Sequence, residues 1–269
     1  NFEHLSGNNK FKFVEHDIVE IIPEIGEFDI IINMACPASP VDYQNIPLET
    51  LWVSAMGTKN LLELAKKNKA LFLHASTSEV YGDPLVHPQK EDYWGNVNPN
   101  GPRSCYDEGK RFAESLIINY QKVHGVNARI FRIFNTYGPR MRVNDGRVIP
   151  NFVSQAISGE EITIYGDGEQ TRSFCYIDDL VEGILSVMNA EKFSGPVNLG
   201  NPKETSILEL AELIIDLTDS KSVIANKALP QDDPKIRQPD ISKARSELGF
   251  EPKVDLESGL KKTIEYFKS

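Results

Sequence analysis

The chain has 269 residues, of which 40% are apolar and 25% charged, and its formal net charge is −10 at pH 7. That length can bury a large core, as one big domain or two unequal ones. The acidic balance argues against a nucleic-acid binder, which presents a basic face, but leaves room for an anionic small ligand held by a few arginines.

From the front, strand and helix signals alternate. KFKFVEHD (10–17) alternates apolar and charged residues and is predicted as a strand; FDIIINMA (28–35) is a short β-branched run. In 47–68, Leu48, Leu51, Trp52, Ala55, Leu61, Leu62 and Ala65 are spaced as the apolar face of one helix. ALFLHAS (70–76) reads as a strand, 104–124 as a helix and ARIFRIFN (128–135) as a further strand. Such alternation with apolar strands predicts an α/β fold built on a parallel, doubly wound, Rossmann-like sheet. After residue 136 the texture changes, with frequent Gly, Pro and Arg, and helices at 178–190, 206–218 and 256–268. Residues 1–136, with parts near 170–200, are therefore expected to form the sheet domain, and 137–269 mainly a smaller mixed α/β lobe.

Cys36, Cys105 and Cys175 are odd in number and widely spaced, which speaks against a disulfide framework and for a reducing, cytoplasmic compartment. The five histidines have no metal-ligand spacing, so no metal is expected. No run is long and apolar enough to span a bilayer, and no signal peptide is visible. A dinucleotide-binding sheet normally opens with a strand, a glycine-rich turn and a helix. No such glycine pattern occurs, and NFEHLSGNNKFKF reads like the loop into a third strand. Either the fold takes no dinucleotide, or a first strand–helix–strand unit precedes these residues; an anchor or leader there stays open.

Chemistry concentrates in a few stretches. In PRSCYDEGKRFAE (102–114), Tyr106 and Lys110 are four apart and share a helical face. Read alone, Tyr106 is a packing residue and Lys110 a solvated charge. HASTSEVYGDP (74–84) presents Thr77, Ser78 and Glu79 at the C-terminal end of a strand, where open α/β sheets bind ligands. FRIFNTYGPR (131–140) offers Asn135 at the next strand end. GDGEQTRSFCYIDDL carries Arg172 and DDPKIRQPD carries Arg237. Singly these are turn residues and surface charges; together they deliver hydroxyl, carboxylate and amide groups to one sheet edge.

With ACPASP, NDGRVIPNF and NLGNP added, these stretches resemble the extended short-chain dehydrogenase/reductase family and, within it, are similar to the UDP-glucuronate decarboxylases. The resemblance implies NAD as cofactor, a UDP-sugar substrate, a homodimer, and an N-terminal glycine-rich unit absent from these residues. It implies that Tyr106 is the base, with Lys110 favouring phenolate and holding the nicotinamide ribose, and that Thr77 shares the proton shift. Glu79, Ser78 and Arg237 match positions around the sugar ring and carboxylate. Asn135, Arg147, Asn151, Tyr165 and Arg172 match positions that hold UDP. Asp17 and Ile18 match the pair beside adenine, and Ala35 a further cofactor position. The implied reaction is oxidation at C4 of UDP-glucuronate, loss of carbon dioxide and re-reduction to UDP-xylose. Release of the 4-keto-pentose, an epimerase or dehydratase, and a non-catalytic nucleotide-sugar-binding remnant are the alternatives.

Overall fold

A computed structural model describes residues 2–193, 195–228 and 236–269. Its central sheet is four parallel strands in the order β1 (Ile30–Asn33), β2 (Leu71–Thr77), β3 (Ala128–Ile133), β8 (Pro196–Leu199). Before β8 the chain makes a long excursion, from which it returns to the sheet. On the way, the short strands β4 (Thr136–Tyr137) and β7 (Cys175–Tyr176) pair in parallel.

β2 and β3 carry buried apolar residues on both faces because helices cover both. On one face Phe72, Ile130 and Ile31 pack on Leu62, Ala65 and Ile117, from α3 (Thr58–Asn68) and α4 (Ser104–His124). On the other, Leu73, Phe131 and Val197 meet Leu180, Val187 and Ala244, from α6 (Ile177–Asn189) and α8 (Ser242–Leu248). The edge strand β1 lacks that second cover: Ile30 and Ile32 are 40% and 45% exposed.

Two predicted elements change. KFKFVEHD forms no strand; a strand exists only through a partner's backbone groups, and no described strand lies beside it. The single helix predicted over 47–68 is divided. It follows the short α1 (Pro40–Asn45) as α2 (Pro47–Trp52), a π turn (Val53–Gly57) and α3. The π turn lies against α4, where a Cβ on Gly109 would stand 3.0 Å from Ser54 Oγ. A side chain here, on the helix that also carries Tyr106 and Lys110, would crowd Ser54.

The second lobe packs α5 (Val148–Ser158), α7 (Ile207–Thr218) and α9 (Leu256–Lys268) around the pair β5 (Ile162–Tyr165) and β10 (Ile224–Lys227). A capping box fixes the start of α7: Glu209 N–H donates to Ser206 Oγ and Ser206 N–H to Glu209 Oε2. A small sheet orders β11 (Ile236–Arg237), β6 (Thr171–Ser173) and β9 (Glu204–Ser206). Its parallel register sets Arg237 opposite Arg172. Residues 232–235 of the DDPKIRQPD stretch lie outside the described residues.

Candidate active site

The C-terminal ends of β2 and β3 and the N-terminal turns of α4 and α5 enclose a cavity of about 650 Å³. Thr77, Ser78, Glu79, Tyr106, Lys110, Asn135, Arg147, Asn151, Tyr165, Arg172 and Arg237 all line it. Asp17, Ile18 and Ala35 do not. Asp17 accepts from Val19 N–H, the Ile18 carbonyl accepts from Asn60, and Ala35 N–H donates to Asn33 Oδ1.

Tyr106 is 6% exposed and stacks on Tyr43 with ring centroids 5.0 Å apart. Burial raises the phenol's pKa, the Cys36 thiol adds to that, and a hydrogen bond with Thr77 pulls the other way. Lys110 is equally buried; burial lowers its pKa, and its Nζ donates to the Ala75 carbonyl at 2.8 Å. The ammonium stands 5.9 Å from the Tyr106 ring centroid. Tyr106 and Lys110 thus share one helical face, and Thr77 at the end of β2 meets the phenol.

Opposite lies a charge cluster. β2 runs into a 3-10 turn, Ser78–Tyr81, whose first N–H groups are partly satisfied by Thr77 Oγ1 accepting from Glu79 N–H. Glu79 accepts from Arg103 Nη2 at 2.6 Å and from both Arg237 Nη atoms. Burial would raise the Glu79 carboxyl, but Arg103 and Arg237 outweigh it and bring it down to about 2. Glu79 is therefore a fixed carboxylate at neutral pH. Arg237 is 3% exposed, and its Nε has no partner among the described residues. At the far end, Arg147 at the N-cap of α5 pairs with the buried Asp145. Tyr165 is 44% exposed on β5.

Sequence reasoning missed Arg103, Tyr43, Cys36 and Asp107. Arg103 stands one turn before Asp107 in the same quoted motif, so helical spacing was a usable signal. Tyr43 lies on a six-residue helix with no periodicity to mark it.

A family model described as GDP-mannose 4,6 dehydratase matches residues 1–263. The chain belongs to the extended short-chain dehydrogenase/reductase family. Among curated members it is 54% identical to UDP-glucuronic acid decarboxylase 1 of Xenopus tropicalis, over 100% of this chain and 63% of that protein. It is 51% identical to UDP-glucuronic acid decarboxylase 6 of Arabidopsis thaliana, over 100% of this chain and 77% of that one. The chain thus spans about 63% of the length of the first curated relatives it matches. Among solved structures of the family, UDP-glucuronic acid 4-epimerase from Bacillus cereus superposes with a TM-score of 0.87. That protein, in complex with UDP-glucuronic acid and NAD, is 29% identical; the match covers 99% of this chain and 84% of that one.

The nicotinamide half of NAD fits what is present, since Tyr106, Lys110 and Thr77 converge on one wall of the cavity. The described residues contain no glycine-rich helix start for a pyrophosphate. None of their helices is long and apolar enough to cross a membrane.

Proposed function

We propose that the protein decarboxylates UDP-glucuronate to UDP-xylose with NAD bound. When bound, NAD would lie with its nicotinamide beside Tyr106, Lys110 and Thr77 and would supply a reversible hydride acceptor for C4 of the sugar. Tyr106 accepts the C4 hydroxyl proton and Thr77 shares it by hydrogen bonding. The buried Lys110 ammonium lies close enough to favour the phenolate that burial opposes. With a carbonyl at C4, the carboxylate at C5 leaves as carbon dioxide, because its bonding electrons flow toward that carbonyl. Protonation at C5 and reduction at C4 then complete the pentose. Asn135, Arg147, Asn151, Tyr165 and Arg172 hold the UDP, so residues 137–269 serve mainly as the nucleotide-sugar lobe and 1–136 as the NAD domain. Asp17, Ile18 and Ala35 remain assigned to the cofactor's edge, outside the cavity.

The observation that carries this reading is the state of Glu79 and Arg237. A dehydratase needs an acid that can give a proton to a departing hydroxyl, and a carboxylate clamped by two guanidiniums cannot do so. A decarboxylase of a glucuronate instead needs cations to bind that sugar's carboxylate, and Arg103 and Arg237 both line the cavity. The identity of 50–55% to decarboxylases supports it further. We also assign a homodimer through α2 and α4, and a reducing compartment that suits the three free thiols. Incubation of the intact protein with NAD and carboxyl-labelled UDP-glucuronate tests the activity. Release of labelled carbon dioxide with UDP-xylose, and no net NADH, is expected. Stoichiometric NADH with a 4-keto-pentose would replace this reading by the oxidative decarboxylase, and inverted C4 with the label retained by the epimerase.

A further inference from the structure

Asp107 is a buried carboxyl group with no task in the proposed reaction. It follows Tyr106 on α4, is 6% exposed, and its Oδ1 has no hydrogen-bond partner among the described residues. An ionised carboxylate in such a place is strongly unfavourable unless paired. The described groups that face it are Glu79 from the 3-10 turn, Arg237 from β11 and Tyr43 from α1, with Arg103, Cys105 and Glu108 from its own end of α4. Two guanidiniums are in range, but Glu79 accepts from both. A second carboxylate behind Glu79 would add like charge where the first already sits. Burial foremost, then Glu79, push the Asp107 carboxyl up to about 8 against the pull of Arg103 and Arg237.

We propose that Asp107 is held as a neutral acid behind the Glu79–Arg103–Arg237 wall and thereby determines how strongly that wall prefers an acidic sugar to a neutral one. The proposal rests on the reading that the site takes UDP-glucuronate. Ionising Asp107 adds one negative charge behind the wall that meets the sugar carboxylate, whatever other partners the arginines have. Attraction for an anionic sugar falls, whereas an uncharged sugar on the same UDP is left almost unaffected. Asp107 is thus a specificity-determining residue that acts through the arginines rather than by touching substrate.

The test is calorimetry of the intact protein with UDP-glucuronate and with UDP-glucose from pH 6 to 9, in the wild type and in Asp107→Asn. A carbon-13 titration of aspartate-labelled protein accompanies it, the Asp107 carboxyl being assigned by its loss in Asp107→Asn. Asp107 is expected to titrate near pH 8. The ratio of the two affinities should fall about tenfold across that midpoint in the wild type, the scale of one extra charge about 12 Å away in an effective dielectric near 20, and stay flat in Asp107→Asn. Titration of Asp107 below pH 5, or an equal fall in both proteins, overturns the proposal. Because the titration needs no ligand, a high midpoint without any preference for UDP-glucuronate shows instead that the substrate reading has failed, and the specificity role fails with it. Should Asp107→Asn not fold, a wild-type ratio that stays flat through the measured midpoint overturns the proposal on its own.

Discussion

Tyr106 has to lose its proton in surroundings that raise its pKa, and the residues around it divide that task. Thr77 hydrogen-bonds the phenol and eases ionisation, while Lys110 is anchored on the Ala75 carbonyl at ring distance. Tyr106→Phe keeps the stack on Tyr43 and removes only the ionisable oxygen. Turnover of UDP-glucuronate is expected to fall by about 10²–10⁴-fold with binding retained; turnover at the wild-type rate would end the assignment of the base. Glu79 makes a second prediction. Its folded pKa of about 2 lies below the ordinary carboxylate value, so its ion pairs stabilise the fold above pH 4.5 and lose that contribution as pH falls toward 2. Arg237→Gln leaves the carboxylate with one guanidinium fewer and should cost about 3–5 kcal/mol at pH 7, as for other broken buried pairs. Urea melts should show the deficit shrinking as pH drops toward 4, where the variant's Glu79 takes up a proton; a deficit independent of pH would mean that Arg237 acts by packing. Arg237 was legible in the sequence, whereas Arg103, which shares Glu79 with it, was passed over despite its spacing to Asp107, because a charged residue at a helix start is normally solvated.

At the scale of elements, α4 is the part on which the site depends, and the helix read at 104–124 coincides with the observed Ser104–His124. The helix over 47–68 was marked by its apolar periodicity, but periodicity does not report an extra residue in a turn, and the π turn at Val53–Gly57 escaped it. That turn matters because it holds Ser54 against Gly109. Gly109→Val should overpack this contact and destabilise the protein by about 1–3 kcal/mol, with a larger relative loss of turnover as Tyr106 and Lys110 shift with the helix. Ser54→Gly frees the space and should recover part of both losses. A double-mutant cycle with no coupling between positions 54 and 109 would show that the contact does not fix α4. The strand predicted at 10–17 failed for a different reason. Alternation identifies residues fit for a strand, but a strand needs a neighbour, and none of the described strands stands beside it.

For the whole molecule, two of the apolar surfaces exposed among the described residues bear on assembly. One is helical: Leu48, Leu51 and Trp52, spaced along α2, are 65%, 38% and 57% exposed, and Phe112 on the adjoining α4 is 53% exposed. The other is the outer face of β1, with Ile30 and Ile32. Contiguous exposed apolar groups mark interaction surfaces. The helical face suits a two-fold dimer better, since two antiparallel helix pairs can bury it in a four-helix contact whose residues meet their own copies. Sedimentation of the intact protein at micromolar concentration is expected to give a dimer. Trp52→Glu sets a charge and its symmetry mate at the centre of that contact and should yield a folded monomer, judged by mass and by an unchanged circular dichroism spectrum. Ile32→Glu, which alters the β1 face instead, should leave the dimer intact. The reverse pattern would move the interface to the β1 face. A dimer resistant to both substitutions would place it on neither surface.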